Sequence, residues 1–458
     1  MSEALLELIK ETISKIENYE TRARARDPKA QVNFEHAVKV ILFDLWKAEH
    51  SSPKRECSIN KRSGFYSETP RYRDPLLTFK QTMAAFNGLQ VLNYIEVTKD
   101  GYFDRDTLQG AVTKFIARDE LRERLLEIDE HPALSLTQEI TTECIILRDI
   151  VDGHRKEIDY TDTPKTDEYR ANLQLINKCF LKHWPDIELK DTDYLKLGEV
   201  ISSDDQKLPI DFSRRTLVRI FSNGSFKEGG RFYRGWWQNV PSKYRKKITI
   251  DAKKTCEYDF SQLNPHMIYF AHNYEMGAED AYDRVLDGQH RDLVKSAFNA
   301  MIQADSSLRA CPRGIDPSVA DMSWGELRDR IIEAHKPISH LFFTGLGNTL
   351  QFEDSCIAES VMLQFAAIDT PALPVHDSFI MHHGYGGELE EAMRRAFHGR
   401  FRSDIPVSSE IINWIEPDDT PPTEISVDYI LKKREEYGQW SKRNDDFLHN
   451  KYNVREND

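Results

Sequence analysis

TCEYDFSQLNPHMIYFAHN, residues 255–273, runs as an apolar-alternating strand into Asp259, turns around Pro265 and continues as a helical-looking stretch. PALPVHDSFIMHH, residues 371–383, leads apolar residues into His376-Asp377-Ser378 and leaves through a second strand-like run, Phe379-Ile380-Met381. A carboxylate at a strand–turn junction presents its oxygens while the strands fix its position. Two such carboxylates on neighbouring strands would hold a pair of Mg²⁺ ions roughly 3.5–4 Å apart, the clamp used in phosphoryl and nucleotidyl transfer. Mg²⁺ prefers hard oxygen ligands and keeps some waters, so few protein carboxylates are needed. An Asp at a turn is ordinarily a cap or simply solvated, so neither segment alone makes a site.

The surrounding chain has 458 residues, a length suited to roughly two to four domains. Hydrophobic residues make up 40%, too many for a disordered chain. No run of about 18 apolar residues exists, so no membrane-spanning helix is expected. The N-terminus, MSEALLELIKETISKIENYE, carries acids and lysines within its apolar run and reads as an amphipathic helix, not a signal peptide. The six cysteines are scattered without a CxxC pair. That argues against a disulfide framework or structural zinc and suits a reducing, cytoplasmic setting. The net charge of −14 argues mildly against a polyanion partner. Its distribution argues the other way. Residues 207–254 hold thirteen Lys and Arg against three Asp and Glu, a local +10, leaving −24 on the rest. Phe226, Phe232, Tyr233, Trp236, Trp237 and Tyr244 lie among these cations, a mixture that suits phosphates and stacked bases but also an ordinary basic surface over core aromatics.

Periodicity predicts two helices in residues 1–50 and a polar, turn-rich loop over 50–75. Residues 77–92 read as a helix, and YIEVTKDGYF, residues 94–103, as a hairpin turning at Asp100-Gly101. This order resembles a winged helix, although generic helix–hairpin packing has the same pattern. Two strands are expected around Asp152-Gly153, a helix over 166–183, and strands around Asn223-Gly224 that include GGRFYRGWWQ, residues 229–238. These signals divide the chain into a helical region with linker, 1–75; a helix and hairpin region, 76–206, winged-helix-like or thumb-like; a motif-bearing region, 207–424; and a charged, partly helical tail, 425–458.

The motif-bearing region resembles the family A polymerase superfamily, which contains bacterial DNA polymerase I and the phage-type single-subunit RNA polymerases. DFSQLNPH at 259–266 is similar to motif A, and VHDSF at 375–379 to motif C in its single-subunit RNA polymerase form. Gly230-Arg231 followed by Gln238-Asn239-Val240-Pro241 resembles the GR…QNIP element upstream of motif A. RDLVKSAF at 291–298 resembles the fingers helix, and 350–367 falls where the family has a helix facing the duplex minor groove. The first four of these elements fall in the family's order, and the resemblance covers roughly 210–410.

The resemblance implies an α+β fold: a right-hand polymerase palm, an antiparallel sheet with helices, and compact fingers. It implies that Asp259 and Asp377, with the Phe260 backbone, hold two Mg²⁺ ions, for which Mn²⁺ can substitute. Arg291 and Lys295 would neutralise a nucleoside triphosphate; Gln262, Asn264 and Asn299 would complete the nucleotide site. Arg231, Gln238, Asn239, Arg245, Gln351 and His376 would contact template and primer. The chain departs from the family in several places. Asn264 stands where the DNA polymerases have Glu, Asn299 and Gln303 where an aromatic and a Tyr are expected, and Ser378 where they have Glu. Sugar choice and fidelity are therefore open. No DxE cluster points to proofreading, and the histidines at 382–383 read as strand-end residues. The leading expectation is a compact DNA polymerase of the kind carried by a mobile element, phage or plasmid. The alternatives are an RNA polymerase or primase-polymerase on the same palm, and a non-catalytic nucleic-acid-binding replication factor.

Overall fold

In a computed structural model the chain is described except for residues 1–2, 21–23, 52–54, 69, 104–109, 129–130, 135–142, 204–207, 278, 411–425 and 454–458. Lys207 of the basic block and the expected 206/207 and 424/425 boundaries touch these excluded stretches. The fold is α+β with mainly antiparallel sheets, as expected. No described helix is long and apolar enough to cross a membrane.

Two hydrophobic cores organise the chain. The first spans Leu5 to Ile128. Helix α1 (Glu3–Tyr19) packs on α2 (Pro28–Glu49). Pro28 opens α2, and the Asp27 side chain accepts a hydrogen bond from the Ala30 amide, the usual N-terminal cap. The expected loop over 50–75 also yields a strand, β1 (Cys57–Ile59), whose outer residues are buried. Then come α3 (Phe79–Val91), β2 (Ile95–Lys99), β3 (Tyr102–Phe103), β4 (Gly110–Ala111), β5 (Thr113–Ala117) and α4 (Asp119–Leu126). Asp100-Gly101 is not the tip of a tight hairpin. The β2 strand pairs with β5, and β3 with β4, so the ribbon is longer than the turn signal suggests. The three-stranded sheet runs β1-β5-β2.

The second core spans Ala133 to Phe447. It is built from β6 (Ile145–Val151), β7 (His154–Ile158), α5 (Pro164–Lys182), β8 (Pro185–Ile187), α6 (Asp191–Ser202), β9 (Val218–Ser222), β10 (Ser225–Tyr233), α7 (Ser242–Arg245), β11 (Ile248–Ile250) and β12 (Lys253–Phe260). It continues with α8 (Leu263–Ala271), α9 (Arg291–Gln303), α10 (Trp324–Ala334), α11 (Gly347–Ala366), β13 (Leu373–Val375), β14 (Ser378–His382), α12 (Gly386–Phe401) and β15 (Val407–Glu410), and ends in α13 (Val427–Glu436) and α14 (Gly438–Asn453). One sheet runs β10-β9-β6-β7, with β6 parallel to β9; the other runs β13-β14-β12-β11-β8, with β15 also on β12.

These pairings correct the expected boundaries. Strand β6 pairs with β9 and β8 with β11, so sheet hydrogen bonds join both sides of 206/207 into one core. The 75/76 cut likewise falls inside the first core. The cores meet where Arg71 donates to Asp159 Oδ1 at 2.8 Å and to the Tyr160 carbonyl at 2.8 Å, and Tyr72 Oη donates to the Ile158 carbonyl at 2.8 Å. GGRFYRGWWQ is a strand only to Tyr233; Trp236–Asn239 is a single 3₁₀ turn. Nor is the charged tail merely an extension. Phe447 joins the second core, and buried Arg443 pairs with Asp186 at 2.8 Å.

Arg219 on β9 is 0% exposed. It donates from Nε to the Gly230 carbonyl at 2.9 Å and from Nη2 to Ser355 Oγ at 3.0 Å, and Nη1 lies 2.9 Å from Glu359 Oε2. Gly230 (φ +76°) permits this approach of β10 to α11, because an added Cβ would meet Phe221 and Ser355 at 2.9 and 3.0 Å. Breaking one partner of such a buried network leaves uncompensated charge. Arg219→Ala is therefore expected to cost about 3–5 kcal/mol, read as a shift in the chemical denaturation midpoint. A loss below about 1 kcal/mol, the scale of a surface pair, would contradict this role.

Candidate metal and nucleic-acid site

Asp259 closes β12, and Asp377 sits in the two-residue turn between β13 and β14. Strand β12 pairs with β14 so that Asp259 faces Ser378, and β13 pairs with β14 so that Val375 faces Ser378. His376 takes a left-handed φ of +55° at this turn, a conformation that favours glycine and persists only where its surroundings enforce it. The Phe260 amide donates to the Asp377 carbonyl at 3.4 Å, closing the junction. Thus the two segments read from sequence converge.

Burial first, and the Asp377 charge second, push Asp259 up to about 7, with Lys295 opposing. Asp259 Oδ1 is buried and has no hydrogen-bond partner among the described residues. Lys295, on the second turn of α9, is exposed, and no ion pair joins it to a described residue. A crowded carboxylate pair with an unpartnered hard oxygen fits Mg²⁺ or Mn²⁺ better than a soft-ligand metal.

A third carboxylate escaped sequence reading. Glu257 lies two residues before Asp259 on the same strand face. It accepts from Arg245 Nη2 at 2.8 Å and Nε at 2.9 Å, and from Ser378 Oγ at 2.6 Å. Arg245 is therefore a counter-ion inside the protein, not the free duplex contact expected. The same bond gives Ser378 a role: it donates to Glu257 where a second carboxylate would repel it.

Several expected nucleotide ligands are tied to their own neighbours. Arg291 donates to Asp280 Oδ2 at 2.8 Å from Nη2 and 3.2 Å from Nε, so Lys295 is the less committed of the two cations. Gln262, at φ +56° before α8, accepts from the Ala281 amide. Asn264 Nδ2 donates to Asn299 Oδ1 at 2.8 Å, linking α8 to α9. That link brings two expected residues together but spends one hydrogen-bonding group of each.

Beside the carboxylates opens a cleft of about 880 Å³. Arg231, Gln238, Asn239, Gln351 and His376 all line it, so five residues expected to touch nucleic acid share one wall system. Two are internally engaged. Gln238 Nε2 donates to the Phe232 and Pro374 carbonyls at 2.9 and 3.2 Å. Arg231 donates to Asp354 Oδ2 at 2.6 Å. Burial, with Asp377 adding and Arg231 opposing, pushes Asp354 up to about 6. Asp354 was not legible as a site residue because nothing in its helical context marks it. The tryptophans of the basic block are absent from the cleft surface: Trp236 and Trp237 are 1% and 0% exposed and fill the core.

Cys179, His183 and Asp369 also cluster. Both His183 ring nitrogens are already occupied, Nδ1 by Asp251 Oδ2 and Nε2 by the Asp369 carbonyl, each at 2.8 Å, so the cluster offers no free imidazole. His382 Nδ1 accepts from the Gly384 amide at 3.1 Å, in keeping with a strand-end role. No family model matches the chain, and no curated protein matches it.

The raised Asp259 fixes the sign of a pH effect. Its unfolded value is near the ordinary 3.8 and its folded value about 7. Between them the folded protein holds a proton that the unfolded chain has released. The stabilisation is complete below the lower value and lost as pH rises through the upper one. In chelator, the melting temperature should therefore fall from about pH 5 to about pH 8, and less steeply in Asp259→Asn. That variant should melt above wild type at the alkaline end. Identical slopes would remove the repulsion argument.

Proposed function

We propose that the protein is a template-directed nucleotidyltransferase, a compact polymerase resembling family A, that extends a primer on DNA. One observation carries this reading: two carboxylates from separate motifs, Asp259 and Asp377, converge with a buried unpartnered oxygen beside a cationic Lys295 and a polar cleft.

Asp259 and Asp377, together with the Phe260 backbone at the same junction, are the groups that would hold two Mg²⁺ ions. Bound there, divalent cations supply charge stabilisation at the attacking and leaving oxygens of phosphoryl transfer. The chain's own residues do the rest. Lys295 offers a point charge to the triphosphate. Arg291 joins it by exchanging Asp280 for a phosphate oxygen. Asn239, Gln351 and His376 face the cleft in which a primed template would lie. The Asn264–Asn299 amide pair has no charge with which to reject a ribose hydroxyl, so ribonucleotides belong in the same assay. The β1-β5-β2 sheet with α3 preceding β2 supports a winged-helix-like accessory unit in the first core.

Primer extension with deoxynucleotide and ribonucleotide sets, with and without primer, tests this. Mg²⁺-dependent incorporation is expected with wild type. Asp377→Ala or Asp259→Ala should lower it by at least about a thousandfold, several kcal/mol of barrier, while nucleic-acid binding measured by anisotropy survives. Undiminished extension by either variant would sink the assignment. Binding without incorporation under any nucleotide set would favour the non-catalytic alternative.

A further inference from the structure

The cleft lining includes residues that the motifs do not describe. Among them are Arg148 and Arg155 from the β6–β7 hairpin, with Arg214 and Arg234. The hairpin lies far outside the basic block in sequence and reaches the cleft because β6 pairs in parallel with β9. Five arginines in all line the cleft against one carboxylate, Asp354, which Arg231 already engages.

The four arginines other than Arg231 are poorly paired. Arg155 and Arg234 make no ion pair with a described residue. Arg148 shares Glu157 at a long 3.4 Å, and Arg214 stands 3.7 Å from Asp211, which Arg55 also approaches at 3.4 Å. Burial holds half-buried Arg214 below the ordinary guanidinium value, while Arg155 and Arg234 are exposed. Arg234 also adopts a left-handed φ of +83° just beyond β10, and a non-glycine residue held there signals a constrained placement. Exposed guanidiniums without carboxylates of their own, beside two half-buried and loosely paired ones, concentrate positive charge where an anion can reach it.

We infer that Arg148, Arg155, Arg214 and Arg234 form a wall that holds the sugar–phosphate backbone of a nucleic-acid duplex entering or leaving the cleft. This deepens the nucleic-acid reading of the same cleft and rests on it. Spaced guanidiniums suit successive phosphates. A single strand would call for exposed stacking platforms. Of the two Phe and Tyr rings lining this cleft, Phe232 is buried and only Tyr233 is exposed, too few to carry successive stacked bases. The contacts are to the backbone, so the wall carries no base sequence.

The test is equilibrium binding of the full chain to a fluorescent primed duplex in EDTA, without nucleotide, across a salt series. Binding is thus read separately from catalysis. Arg148→Ala/Arg155→Ala/Arg234→Ala should weaken binding equally for unrelated duplex sequences and flatten the log–log salt slope by about one per arginine removed. Lysine at the same three positions should restore most of the slope. Arg328→Ala/Arg395→Ala, on α10 and α12 and outside the cleft lining, should change neither. Melting curves screen for misfolding, and the lysine variant keeps the claim testable if the alanine variant unfolds. An unchanged slope, an equal loss in the Arg328/Arg395 control, or tighter binding of single strand than duplex would overturn the wall. If the slope flattens but no variant or wild type incorporates nucleotide, the wall stands and the polymerase reading falls.

Discussion

Half-buried Asp259 and Asp377 are brought beside each other by β12 and the β13–β14 turn, and the Asp377 charge adds to the burial that raises Asp259. Much of the surrounding architecture is arranged around that unfavourable contact. The nearby arginines relieve it only in part, because each already has its own carboxylate: Arg245 serves Glu257 and Arg231 serves Asp354. Lys295 opposes the repulsion from an exposed position. The local field therefore stays negative, and a small divalent cation is the species that relieves it best. On the proposed reading, stability and site chemistry would pull in opposite directions here.

The strand register maintains this arrangement. Side chains alternate across a sheet, so a one-residue slip of β12 would turn Asp259 and Glu257 to the opposite face and break the pairing with Ser378. Strand β12 has β11, β14 and β15 as neighbours, and its turn-forming neighbours, Gln262 and His376, both accept left-handed backbone angles. Gln262 is fixed through the Ala281 amide. Arg219 ties β9 and β10 to α11, which carries Asp354 and Gln351 to the cleft. Distant buried hydrogen bonds thus set where the cleft lies relative to the carboxylates.

Local chemistry was legible in the sequence; partner choice was not. Alternation ending in Asp259, and the His376-Asp377 turn, announced both carboxylates because strand period and turn composition are local properties. By contrast, nothing near Arg291 in sequence says that Asp280 will reach it, and nothing near Gln238 says that the Pro374 carbonyl will consume its amide. Long-range pairing also hid the true division of the chain. The β6–β9 and β8–β11 ladders join segments on either side of a polar stretch that reads like a linker. Asp100-Gly101 has turn chemistry, yet the ribbon continues past it because β2 finds β5 rather than the nearest strand.

The charge distribution shows the same separation between composition and place. The +10 block suggests a basic face, but Arg215 and Arg219 are buried and Arg245 is neutralised. Its tryptophans are core. What remains at the cleft is Arg214, Arg231 and Arg234, joined by Arg148 and Arg155 from a hairpin whose sequence neighbourhood is unremarkable. A net charge of −14 is compatible with polyanion binding only if cations are concentrated and acids kept away from them. The cleft meets that condition through tertiary pairing and not through the run of basic residues. Repulsion from the acidic remainder would then confine a nucleic acid to this groove and make its binding steeply dependent on salt.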